Sequence, residues 1–145
     1  MDIGKILVPV SGNHVDADVL RMACDLAAVE KASVYAVFVI EIERSLPLDV
    51  PPEPQASRAE EVLLRAQKTA SERGSEITTG ILQAREAGPA IVHEATEGRF
   101  DLIVMGMSHR RHPGDLDIGD TVSHVLRDAP CSVLLYREAQ VEAPA

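Results

Sequence analysis

The sequence has no tryptophan, two tyrosines and two phenylalanines, so aromatics are 3% of a chain whose hydrophobic share is 46%. Its core must be aliphatic, and it lacks the stacking platforms on which single-stranded nucleic acid is held. Positive charge is scarce too. Fourteen Lys and Arg stand against 23 Asp and Glu, a formal net charge of -9. That balance opposes nonspecific attraction to duplex DNA and anionic membranes, and favours solubility. No apolar run reaches the roughly 18 residues of a membrane span, and no secretory hydrophobic region is found. Only two cysteines are present, Cys24 in a helical pattern and Cys131 in a strand pattern. They make no disulfide framework, and a reduced, cytoplasmic protein is expected. The GK[ST] phosphate loop and the GxSxG elbow are both missing, so neither Walker-type phosphoryl transfer nor α/β-hydrolase chemistry is supported.

What is present is a regular alternation. Lys5 to Val10 (KILVPV), Ser33 to Ile40 (SVYAVFVI), Ile77 to Ala84 (ITTGILQA), Leu102 to Met105 and Cys131 to Tyr136 (CSVLLY) read as strands. They are apolar and rich in β-branched residues, as in strands covered on both faces. The third is the most polar and contains a glycine, which suits a sheet edge. Between the strands, apolar residues recur at helical spacing: Val19, Met22, Ala23, Leu26 and Ala27; Val62, Leu63, Ala66 and Ala70; Ile91, Val92 and Ala95; Val122, Val125, Leu126 and Ala129. Asn13, Asp16 and Asp18 supply a cap and first-turn negative charge for the first helix. Ser57 and Glu60 have capping-box spacing for the second, and Pro89 suits the first position of the third. Pro47, Pro51, Pro52 and Pro54 oppose regular structure over residues 41–56, a long loop that reads first as mobile, with a lid or a partner surface as the alternatives. One domain over residues 1–137 follows, with a flexible acidic tail over residues 138–145.

Five strands and four helices in alternation give an α/β fold: a single doubly wound parallel sheet with helices on both faces. In such sheets a ligand lies beyond the strand carboxyl ends, where the winding reverses. The alternation itself leaves the strand order open. If the first and fourth strands are neighbours, the turn Ser11-Gly12-Asn13 and the loop from Gly106 to Gly119 form that crevice. The stretch from Phe100 to Thr121 then has the form of an anion-binding corner, with Gly119, Asp120 and Thr121 opening a helix whose free N–H groups face the ligand.

The segments KILVPVSGN, DLIVMG and VLRDAPCSVLLY, in this order of strands and helices, resemble the universal stress protein family over nearly the whole chain. The resemblance implies the strand order 3-2-1-4-5. Family members that bind ATP carry an acid in the first turn (PVDGS) and a motif G-x2-G-x9-G-[ST]. Here Ser11 stands at the acid, His109 at the second glycine and Asp120 at the hydroxyl, while Gly106 and Gly119 match. By resemblance Pro9, Val10, Val39 and Met105 line the adenine side. Ser11, Gly12, Gly106, His109, Arg110, Arg111, Gly119, Asp120 and Thr121 face ribose and phosphates. A His in place of glycine adds bulk and forfeits positive φ. Asp120 is an acceptor only and brings like charge to phosphate, a repulsion of roughly 4 kcal/mol at about 4 Å and an effective dielectric near 20. The counterweight is His109-Arg110-Arg111-His112, able to hold phosphate or to neutralise Asp115, Asp117 and Asp120.

These residues support a non-enzymatic binding or regulatory module with a degenerate ATP motif and weak or no ATP binding. The alternative is a genuine adenine-nucleotide protein, for ATP, AMP or a cyclic nucleotide, using Arg110, Arg111 and the glycines. Slow ATP hydrolysis is the least supported reading. No catalytic residue is assigned. A metal site from His109, His112 and Asp115 is a weak loop spacing and is set aside. His14, His93 and His124 read as surface or half-buried residues, Met105 as core and Met107 as loop filler. The last strand reads as an apolar edge. A homodimer through Cys131, Val133 and Leu135 is expected, and the resemblance implies the same.

Overall fold

The computed structural model describes residues 2–107 and 119–139. Its elements are β1 (Lys5–Pro9), α1 (Asp16–Glu30), β2 (Ser33–Glu41), α2 (Glu53–Glu72), β3 (Thr78–Ala84), α3 (Ala87–Glu97), β4 (Leu102–Met107), α4 (Asp120–Asp128) and β5 (Ser132–Arg137). The strands form one sheet in the order β3-β2-β1-β4-β5, and every neighbouring pair is parallel. This is the doubly wound fold and strand order expected, with the polar β3 at one edge and β5 at the other.

Alternation along β1 divides the core. Ile6 and Val8 join Leu102 and Val104 beneath Val15, just before α1, Val19, Leu20 and Ala23 of α1 and Val62, Leu63 and Ala66 of α2. Leu7 turns the other way, with Val37, Ile103, Met105 and Met107, onto Ile91 and Ala95 of α3 and Val122 and Val125 of α4. Ile6, Leu7 and Val8 are fully buried. Each contributes about 1.5 to 3 kcal/mol relative to exposure, which is why the central strand is a continuous apolar run.

Some boundaries differ from expectation. Regular structure resumes inside the Pro-rich segment: α2 begins at Glu53 after Pro52, with Pro54 in its first turn. Proline lacks an N–H that the first turn does not need, so it is compatible with a helix start. Ser57 consequently lies in the second turn and does not cap; its hydroxyl donates to Glu53 Oε1 at 3.1 Å. The remaining loop is held by Arg85, whose Nη1 donates to the carbonyls of Ile42, Glu43 and Leu46 at 3.4, 2.6 and 2.9 Å. Helix α3 begins at Ala87, two residues before Pro89. Strand β4 continues through Gly106, so Met107 is buried core rather than loop. Leu126, by contrast, is exposed. Cys24 and Cys131 are both free thiols, and burial pushes each above its ordinary pKa.

Candidate functional site

The crevice arises where β1 and β4 part. Their pairing comprises Ile6↔Leu102 and Leu7↔Ile103, whereas β4 and β5 pair along their full lengths. Beyond Ile103 the strands diverge at the reversal of winding, the place where open α/β sheets take ligands. Pro9, Val39 and Met105 follow Leu7, Val37 and Ile103 on the α3/α4 face, so three of the four proposed adenine-side residues share one apolar wall. Val10 differs. It is buried in the opposite layer and its N–H donates to Val37 O at 2.8 Å.

The turn after β1 is closed by a carboxylate that the motif comparison missed. Asp16, the first residue of α1, accepts the N–H of Ser11 at 3.1 Å and of Gly12 at 2.7 Å through its two oxygens. Asn13 Oδ1 accepts Val15 N–H at 3.0 Å, and Arg58 Nη2 donates to Gly12 O at 3.3 Å. Gly12 takes φ 86°, the left-handed region its lack of Cβ permits. Burial pushes the Asp16 carboxyl above its ordinary pKa, while the Ser11 and Gly12 amides act in the opposite direction. In sequence this residue is an acid four and five positions beyond Gly12 and Ser11, a spacing that signals only helix-start charge.

A second carboxylate also binds a backbone amide. Glu41 ends β2 and its Oε2 accepts Ala87 N–H, the first amide of α3, at 3.2 Å. Glu41, Glu86, Ala87, Gly88, Asp120, Thr121, His124 and Arg127 line a cleft of about 460 Å³ between the amino ends of α3 and α4. The α3 to α4 approach is close because a Cβ on Gly88 would lie 2.8 Å from His124 Cβ. The basic side chains here are engaged: His124 Nε2 lies 3.4 Å and Arg127 Nη2 3.3 Å from Asp128 Oδ2. Arg127 beside Asp128 holds its carboxyl below the usual range.

Gly119 precedes α4 with φ 90° and ψ 152°, a conformation essentially confined to glycine. Asp120 follows as the first, exposed residue of the helix and Thr121 is half-buried. Gly106 lies within β4 facing α1. His109, Arg110 and Arg111, with the rest of the loop to Ile118, lie outside the described residues, as does the tail beyond Ala139. His14, in the first turn, is within 2.6 Å of Glu138 Oε2 just past β5, and Tyr136 Oη donates to Asp18 Oδ2 at 3.3 Å. Among the described residues no group of three or more His, Cys, Asp or Glu is placed to hold a metal ion. No described helix is long and apolar enough to cross a membrane.

A universal stress protein of Methanocaldococcus jannaschii is 28% identical over 144 residues, 95% of this chain and 84% of that one. The structure of the Archaeoglobus fulgidus universal stress protein in complex with dAMP superposes with a TM-score of 0.74 at 23% identity, covering 93% of this chain and 98% of that one. An Arabidopsis thaliana family protein with AMP bound superposes with a TM-score of 0.67 at 13% identity, covering 94% and 92%. The sequence model of the universal stress protein family matches residues 3–137, which is nearly the whole chain with all nine elements, and the chain therefore belongs to that family.

Proposed function

We propose that this chain is a non-catalytic binding module whose crevice takes an adenine nucleotide of low phosphate charge, AMP in preference to ATP, and that it works as a cytoplasmic homodimer through β5. The observation that carries this reading is that the chain's own carboxylates already occupy the anion-binding amides: Asp16 on Ser11 and Gly12, Glu41 on Ala87. Asp120 adds a third negative charge at the start of α4. A triphosphate must displace or approach these carboxylates, whereas the apolar wall of Pro9, Val39 and Met105 is neutral towards an adenine ring. The AMP and dAMP complexes of the two solved relatives support a monophosphate ligand. Titration calorimetry with AMP and ATP tests the proposal, together with mass spectrometry of any nucleotide released on denaturation. AMP is expected to bind more tightly. Tighter ATP binding, weakened by Arg110→Ala and Arg111→Ala, would establish instead a phosphate site built on the loop after β4. Phosphate release above a buffer blank is expected to be nil.

A further inference from the structure

Glu41 is the last residue of β2, four beyond Val37, which pairs with Pro9. By alternation Val37, Val39 and Glu41 share a face, so Glu41 lies on the same side of the sheet as the apolar wall, two residues beyond Val39 at the carboxyl end of β2. Its backbone is rigidly placed. Glu41 pairs with Ala84 of β3, Ile42 N–H donates to Ala84 O at 2.8 Å, and Arg85 binds the next carbonyls. An ionised carboxylate is acceptor-only with about four lone-pair sites. The Ala87 amide uses one of them, on Oε2, which fixes the side chain in the cleft without exhausting its capacity.

The other groups lining the cleft narrow what fits. Glu86 and Asp120 add negative charge, and His124 and Arg127 are turned to Asp128. Phosphate is disfavoured here, while a neutral group that donates hydrogen bonds is favoured. The sugar of a nucleoside, joined directly to a base on the wall below, offers such donors in its two vicinal hydroxyls. An acid that accepts ribose hydroxyls at the carboxyl edge of a doubly wound sheet is chemically the same device as in dinucleotide-binding folds.

We infer that Glu41 reads the sugar: its carboxylate accepts from the 2′ and 3′ hydroxyls, so that the crevice selects ribonucleotides over 2′-deoxyribonucleotides. The inference rests on the adenine-nucleotide reading above, and its test separates the two. Calorimetry compares AMP with 2′-deoxyAMP on wild type, Glu41→Gln and Glu41→Ala, with circular dichroism confirming the fold of each. Glu41→Gln retains an acceptor for Ala87 N–H and guards against loss of the α3 start. Wild type is expected to prefer AMP by about tenfold, the worth of one hydrogen bond to a charged acceptor. The preference should shrink in Glu41→Gln and vanish in Glu41→Ala. Binding of both nucleotides with a ratio unchanged by Glu41→Ala overturns the role of Glu41 and leaves the crevice intact. Failure of both nucleotides to bind wild type overturns the nucleotide reading, and this inference with it.

Discussion

A Cβ on Gly106 would lie 2.5 Å from Val19 Cγ2 and 2.8 Å from Val15 Cγ1. These atoms belong to buried, β-branched residues at the amino end of α1, which cannot swing aside as a flexible side chain could. Gly106 is therefore required by helix-to-strand packing, and its match to a nucleotide motif says little about nucleotide. Gly106→Ala should lower stability by about 1 to 3 kcal/mol, seen as a reduced denaturation midpoint at unchanged slope. An unchanged midpoint would show that α1 is free to shift. Asp16 carries a different kind of prediction. Its pKa is raised on folding, chiefly by burial, so between the ordinary value of 3.8 and the raised one the native state binds the extra proton. Its contribution to stability therefore increases as pH falls through that window and is lost as pH rises past it. Urea unfolding of wild type and Asp16→Asn between about pH 7 and about pH 4 should show wild type gaining on the variant as pH falls. The opposite trend would mean that the Ser11 and Gly12 amides outweigh burial. Asp128, lowered by Arg127, has the reverse sign: its contribution is present above the ordinary value and fades as pH falls through the lowered one.

At the scale of elements, the two sheet edges differ. On β3 the outward residues are partly polar, whereas β5 exposes Leu134 and Leu135 at 52% and 36%. An apolar, unpaired edge of this kind invites a second copy. Val133 packs inward with the α3/α4 layer, so Leu134 is the sharper probe of association. Leu134→Lys is expected to give a folded monomer by light scattering and circular dichroism, against a dimer for wild type. A wild-type monomer at high micromolar concentration would refute the proposed dimer. Element types were legible because apolar runs and helical spacing report burial directly, and Ile6 to Val8 is the plainest case; the sheet order came from the family resemblance, since alternation leaves it open. Boundaries were less so. Pro54 reads as a breaker in sequence but is accommodated once Pro52 and Glu53 set the helix start, and Gly106 ends an apolar run without ending its strand. For the candidate site, strand alternation suffices to put Pro9, Val39 and Met105 on one face, but Asp16 and Glu41 reach their amides through side-chain geometry that spacing does not encode.

For the whole molecule, the net charge of -9 and the carboxylates of Asp16 at the turn after β1 and of Glu41 and Asp120 in the cleft between α3 and α4 set the sign of the salt response. AMP carries about two negative charges and ATP roughly twice that. The Debye length falls from about 30 Å at 0.01 M to about 8 Å at 0.15 M, so raising salt over this range screens repulsion between the chain and its ligand. A protein that gathers phosphate with Lys and Arg loses affinity as salt rises; this one is expected to gain it, more for ATP than for AMP, so the preference for AMP narrows. Asp120 is exposed, which brings its repulsion of a phosphate at about 4 Å down from roughly 4 kcal/mol towards roughly 1 kcal/mol. Asp120→Ser should therefore improve ATP binding several-fold at low salt and by less at 0.15 M, with a smaller gain for AMP. Calorimetric titrations of wild type and Asp120→Ser at about 0.01 M and about 0.15 M salt decide the matter. ATP binding that weakens with salt, or that worsens in Asp120→Ser, would mean that cationic side chains of the loop after β4 or a bridging cation govern the phosphates, and Asp16, Glu41 and Asp120 would lose their assigned role.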